Sequence, residues 1–213
     1  MNSNNNQRRE ARQKADLSAK GRIIVISAPS GSGKGTIISE MRKLRPSLAL
    51  SVSMTTRTPR TGETDGVHYH FTTRENFKKL DEEGYFLESS PYSAMGNLYG
   101  TPLAFADEVT DGGGDLVLEI EVNGMRQVRR LRPEAVTFFI MPHTRDAWEK
   151  QLRERDETLS DDERAARIET GLREIEAADE YDYTVVNRPG DPAAAAAEIL
   201  ELLEKHRTSA NTM

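Results

Sequence analysis

The sequence predicts an α/β fold with three layers, a parallel sheet covered by helices on both faces. A short apolar run from Arg22 to Ser27 leads through a glycine-rich segment into an amphipathic stretch. That order of strand, loop and helix opens an α/β unit. Apolar runs of the same kind recur at Leu116 to Ile120, Val136 to Ile140 and Tyr183 to Val186, with helical stretches between them. Runs this short, without alternation, suit strands buried on both faces. The 213 residues, 36% hydrophobic and 30% charged, are enough for one such domain with inserted lobes.

Residues 1–20 are rich in Asn, Arg, Gln and Lys and hold no apolar stretch. They read as a disordered or loosely helical extension rather than a secretory signal, with Arg8, Arg9 and Arg12 on a solvated basic face. One domain is expected over 21–206, its core at about 21–50, 105–145 and 177–206. The first helix covers Thr36 to Leu44, with Ile37, Ile38, Met41 and Leu44 as its apolar residues. Over about 51–104 the character changes. Leu48 to Ser53 alternates, Thr55 to Gly66 is rich in Thr, Arg, Pro and Gly, and Tyr69-His70-Phe71 is aromatic. A helix then opens on a capping box of Thr72 and Glu75, places Phe77 and Leu80 on one face, and stops at Gly84. This reads as an inserted α+β lobe. A helical lid is expected over about 146–176, with the charged stretch Arg153 to Glu157 inside it. Its second helix opens on a capping box of Ser160 and Glu163 and carries an apolar stripe of Ala165, Ile168, Leu172 and Ile175. The last helix starts at Asp191-Pro192 and runs toward His206, leaving 207–213 as a flexible tail.

Composition narrows the function classes. A net charge of −6 argues against a broad electrostatic claim on nucleic acid, so an anion site must be built locally. Without cysteine there is no disulfide, thiolate chemistry or cysteine-held zinc, which fits a cytoplasmic protein. No apolar run approaches the ~20 residues of a membrane span, and no membrane partner is expected.

The segment Ala28-Pro29-Ser30-Gly31-Ser32-Gly33-Lys34-Gly35-Thr36 lies between a strand and a helix. In that setting its backbone N–H groups can wrap a phosphate while the helix dipole favours the anion. Its glycines allow unusual φ and close approach, and Lys34 reaches the β- and γ-phosphates as a mobile point charge. The strict Walker pattern is broken twice, by Ala28 in place of the first glycine and by Gly35 in place of the magnesium-holding Ser or Thr. The Lys-Gly-Thr ending resembles nucleoside monophosphate kinases of the adenylate kinase type, a resemblance that implies magnesium held mainly through waters and phosphates.

A P-loop names a nucleotide, not a reaction. The inserted lobe supplies the rest. Ser51 to Glu63, Asp65-Gly66-Val67-His68-Tyr69-His70-Phe71, Gly84-Tyr85-Phe86-Leu87-Glu88 and Gly96-Asn97-Leu98-Tyr99-Gly100-Thr101 resemble, in order, the motifs of guanylate kinases. The resemblance runs from Gly21 to about Lys205. It implies a P-loop kinase fold, ATP as donor, GMP and dGMP as acceptors, and magnesium as cofactor. It gives the GMP phosphate to Arg57, Arg60, Tyr69 and Tyr99, and the guanine to Ser53, Glu88 and Thr101. It also implies that Glu119 contacts the GMP side, that Glu121 orders the magnesium water shell with no direct protein ligand assigned, and that Asn187 lies near the adenine. Lys34, Arg155 and Arg167 are the catalytic candidates, the last two supplied by the lid.

The residue types suit those roles. Two arginines and two phenols match a phosphomonoester dianion. A buried carboxylate at Glu88 accepts from both N1–H and the 2-amino group of guanine, and adenine offers neither. Read singly, Arg57 and Arg60 also fit a solvated turn around Pro59, and Thr101 a helix N-cap before Pro102. Tyr69 and Tyr99 also fit half-buried sheet aromatics, and Glu88 a strand-end surface acid. Arg155 and Arg167 also fit a solvated helix face. Against the family pattern, Gln151 stands where an arginine is common, Glu121 where Asp is more usual, and Asn123 where Gln is more usual. Asn187 is followed by Arg188-Pro189-Gly190 in place of acidic residues. The stretch from Glu88 to Gly96 is two residues longer than usual, an insertion a surface loop absorbs cheaply. Two alternatives stay open at this point: another P-loop small-molecule kinase, and a guanylate-kinase-like protein interaction module without catalysis. The sequence leaves oligomeric state and the purpose of the extension open.

Overall fold

Strand β1 (Ile23–Ser27) is the middle of a five-stranded, wholly parallel sheet in the order β2-β7-β1-β8-β9. The others are β2 (Ala49–Leu50), β7 (Leu116–Glu119), β8 (Val136–Pro142) and β9 (Tyr183–Asn187). The computed structural model describes residues 20–91, 96–154 and 160–212. Alternate residues of β1 serve the two faces of the sheet. Ile24 and Ile26 pack with Ile37, Ile38 and Met41 of α1 (Lys34–Leu44) and Ala196 and Ile199 of α7 (Pro192–Thr212). Ile23 and Val25 pack with Ala106 of α3 (Leu103–Asp111) and Met125 and Val128 of α4 (Val122–Leu131). The predicted three layers are present, and the C-terminal strand ends form one edge, where open α/β sheets bind ligands.

The inserted lobe carries a second sheet in the order β4-β3-β6-β5. It is built from β3 (Met54–Thr55), β4 (His70–Phe71), β5 (Phe86–Pro91) and β6 (Leu98–Pro102). Helix α2 (Arg74–Glu82) fastens to it by Phe77, whose ring stacks on Phe86 with centroids 4.4 Å apart. The stretch expected to form a lid holds α5 (Arg145–Glu154) and α6 (Asp161–Glu176), followed by a 3-10 turn at Ala177–Glu180.

Several local expectations shift. The expected capping box at Thr72 is replaced by a cap one residue later. The Thr72 N–H still pairs with Thr55 O at 3.0 Å, and Thr73 caps α2 by accepting from the Asn76 N–H. The Ser160–Glu163 capping box is present. The buried face of α6 is set by Gly171 and Glu174 rather than by the apolar stripe; Ala165 is exposed, and Ile168, Leu172 and Ile175 are half-buried. Gly171 lets Trp148 of α5 come so close that a Cβ there would lie 2.4 Å from the indole. Asp191 accepts from the Ala194 N–H at 3.1 Å, as a cap should, but α7 then continues to Thr212, through most of the expected tail. Thr101 caps nothing. It is an interior residue of β6, and Pro102 stands at the start of α3.

Candidate active site

The loop from Ala28 to Gly33 joins β1 to α1. Gly33 ends it at φ 81°, a left-handed conformation, and a Cβ there would meet Asn187 Nδ2 at 2.6 Å, so glycine is needed twice over. Lys34 is the first residue of α1, and its Nζ lies 3.8 Å from Glu119 Oε1 at the end of β7. Loop and helix terminus face a cavity of about 560 Å³. All nine residues from Ala28 to Thr36 line it. On its other side stand Ser53, Arg57, Arg60, Tyr69, Glu88 and Tyr99 of the inserted lobe, with Glu119, Ile120 and Glu121 at the sheet edge. One cavity therefore joins nearly all the residues singled out as donor and acceptor sites.

The cavity wall formed by the inserted lobe is braced from behind. Arg57 makes a bidentate pair with Glu63, at 2.8 and 2.9 Å, and its guanidinium sits 5.4 Å from the centre of the Tyr69 ring. The Arg57 pair, helped by the Arg60 N–H, pulls the Glu63 carboxyl down to about 2. Tyr69 meets Tyr99 edge to face at 5.9 Å. Glu88 lies in β5, 4% exposed, and accepts from the Thr101 hydroxyl at 2.7 Å. Burial pushes its carboxyl up to about 7, with the Thr101 bond opposing and the nearby Glu121 adding to the rise. Thr101 itself is fully buried; it holds Glu88 and does not line the cavity. Register pairs Glu88 with Thr101, Ser90 with Tyr99 and Pro91 with Leu98. Of the longer stretch from Glu88 to Gly96, residues 92–95 lie outside the described residues.

Glu121 has a local task that sequence reasoning did not foresee. It caps α4, accepting from the Asn123 and Gly124 N–H groups at 2.8 Å each, and takes the Ser90 hydroxyl at 2.9 Å. Asn187, at the end of β9, donates to Ser32 O at 2.8 Å, and its Oδ1 has no hydrogen-bond partner among the described residues. Arg167 is exposed on α6 and is not one of the residues lining the cavity. Arg155 lies outside the described residues.

Sequence reasoning also missed Glu63, Ser90 and Glu174. Glu174 is 8% exposed on α6. Burial pushes its carboxyl up to about 7, while Lys34 and the Ser30 N–H pull it down. Gln151, noted as a departure, lines the cavity from α5.

Among the described residues no group of three or more His, Cys, Asp or Glu could hold a metal ion alone, and no helix is long and apolar enough to cross a membrane. The carboxylates that do reach the cavity beside the phosphate loop, Glu119 and Glu121, are hard oxygen donors, which suits Mg²⁺ held jointly with substrate phosphates and water.

The family model described as guanylate kinase matches residues 20–205, spanning core, inserted lobe and lid. The chain belongs to the guanylate kinase family. It is 43% identical over 186 residues to the guanylate kinase of Rubrobacter xylanophilus, covering 87% of this chain and 95% of that one. It is 42% identical over 184 residues to the guanylate kinase of a Synechococcus strain, covering 86% and 82%. The crystal structure of guanylate kinase from Anaplasma phagocytophilum superimposes with a TM-score of 0.71 at 29% identity, covering 90% of this chain and 89% of that one.

Proposed function

We infer that this chain transfers the γ-phosphoryl group of ATP to GMP, giving ADP and GDP, for purine nucleotide metabolism. The observation that carries the reading is the two-ended cavity, with Lys34 and the phosphate loop at one end and the buried Glu88 at the other. ATP lays its phosphates on the loop amides and the α1 terminus, with Lys34 exchanging Glu119 for the β- and γ-phosphates. Ser32 lines the cavity, and its buried Oγ, without a hydrogen-bond partner among the described residues, suits a further polar contact once the phosphates are bound. The unpartnered Asn187 Oδ1 suits an amino donor on the adenine side.

GMP places its phosphate among Arg57, Arg60, Tyr69 and Tyr99. Its guanine lies against Ser53 and Glu88, with Thr101 behind. Ionised Glu88 accepts from N1–H and the 2-amino group; AMP leaves that carboxylate unpaired, which suits discrimination of about 10⁴-fold. The same contacts hold for dGMP, which we propose as a second acceptor. The attacking phosphate oxygen is already anionic, so no general base is required. Catalysis consists of alignment, charge stabilisation and exclusion of water. Arg155 and Arg167 are proposed to add positive charge when the lid closes. Glu121, acting through water, would help hold Mg²⁺ bound with the ATP phosphates, and the ion would supply neutralisation of phosphate charge. We place the protein in the cytoplasm.

A coupled assay of ADP release with GMP, dGMP, AMP and no acceptor tests the reading. Fast release with GMP and dGMP alone is expected. Equal rates with AMP and GMP would overturn the guanine reading. No turnover with any acceptor by folded protein would favour a non-catalytic interaction module.

A further inference from the structure

A loop that binds phosphate through its amides must turn its carbonyls away, because an inward carbonyl repels the anion. Two carbonyls of this loop are tied back from outside by side chains. The Trp148 indole N–H donates to Ser30 O at 2.8 Å, and the Asn187 amide donates to Ser32 O at 2.8 Å. A trans peptide is planar, with its C=O and N–H pointing opposite ways. Pulling the Ser30 carbonyl outward therefore aims the Gly31 N–H inward, and pulling the Ser32 carbonyl outward does the same for the Gly33 N–H. Both glycines line the cavity at positive φ, 85° and 81°, and neither N–H has an acceptor among the described residues.

Trp148 is held firmly enough to act this way. It is 2% exposed, in a groove that exists because residue 171 of α6 has no side chain. Leu152, one turn further along α5, would lie 3.0 Å from a Cβ at Gly31. The outer half of the loop thus rests on the lid helices, and its inner half on β9.

We propose that Trp148 and Asn187 are positioning residues for the donor, which orient the Gly31 and Gly33 amides toward the ATP phosphates by holding the two carbonyls back. This rests on the assignment of ATP to the loop. It goes further by making the lid helix α5 part of the phosphate site before any lid closure, and by giving Asn187 a task apart from the adenine.

Trp148→Phe keeps an aromatic six-membered ring but removes the N–H donor together with the five-membered ring of the indole; Asn187→Ala removes the other tie. Each is expected to raise KM for ATP about fivefold, the effect of one hydrogen bond, while KM for GMP stays within twofold. Trp148 is the only tryptophan, so its fluorescence gives a direct readout. ADP titration should change the emission of the wild-type protein, and Asn187→Ala should need about fivefold more ADP. An unchanged KM for ATP in both variants would overturn the proposal, and so would a parallel rise in both KM values, which marks a general loss of structure. Wild-type protein that fails to turn over GMP would instead refute the assigned reaction. Normal wild-type turnover with unaltered variants refutes this inference alone.

Discussion

Replacing Glu88 by Gln separates recognition from stability, because the same buried charge serves one and opposes the other. The Glu88 carboxyl, normally near 4.5, is pushed up to about 7 by burial, yet the proposed guanine contacts require the ionised form. GMP binding must then expel a proton below pH 7. At pH 6 about one carboxyl in eleven is ionised, so KM for GMP should be about tenfold higher than at pH 8. The substrate phosphate, with a second pKa near 6, adds about twofold over the same range. Glu88→Gln should keep only that twofold residue, with KM raised at every pH and much of the preference over AMP lost, because the amide cannot accept from both guanine donors. For stability the sign is the opposite. A carboxyl whose folded pKa is raised favours folding while protonated, and that contribution is lost as pH rises from about 4.5 through about 7. The gap corresponds to about 3 kcal/mol. Glu88→Gln should therefore melt higher than wild type at pH 8 and close to it at pH 5, with Thr101 still able to donate to the amide oxygen. Steady-state kinetics at pH 6, 7 and 8 with GMP and AMP, beside thermal melts at pH 5 and 8, would check both halves. A pH-independent KM for GMP in the wild type, or a Gln variant that still prefers GMP strongly, would refute the reasoning.

Glu174→Gln should behave like the stability half alone. Its carboxyl is also raised to about 7, so the melting gain over wild type should appear as pH rises from 5 to 8, and a gain confined to pH 5 would count against it. Glu63→Ala removes the pair that holds Arg57. KM for GMP should rise about tenfold with KM for ATP unmoved, and an equal change in both would show that the brace is not specific to the acceptor end. Gly171→Ala drives a methyl into Trp148. It should lower the melting temperature by the equivalent of about 1–3 kcal/mol, and a neutral melt would show that α6 is free to shift.

What could be read from the chain ahead of its structure depended on whether the signal was local. The phosphate loop was legible because strand, glycines, lysine and helix are contiguous, and the five core strands were legible apart from the two-residue β2. Glu88, Arg57 and Tyr99 sit far apart in the chain, but each falls in a recognisable motif, and the cavity joins them. Thr101 was assigned to the guanine by its motif, but its place beneath Glu88 was not legible, because that depends on cross-strand register. Glu121 was judged by its charge, whereas its first use is to cap α4, a helix start signalled only by the residues after it. Glu174 was passed over because an apolar stripe was sought on α6. The face that packs is Gly171 and Glu174, a small and a polar residue that fit Trp148 and the loop, and hydrophobic periodicity is blind to such a face. Trp148, a lone tryptophan in a charged helix, was the available signal for that contact.

The central claim is that one cavity has two separable ends, a donor end built on Lys34 and an acceptor end built on Glu88. Turnover and GMP affinity measured together on Lys34→Ala test it most directly. The rate with saturating GMP should fall by about 10²-fold or more, while the calorimetric dissociation constant for GMP stays within twofold of wild type. Retained turnover, or GMP binding lost in step with activity, would contradict it.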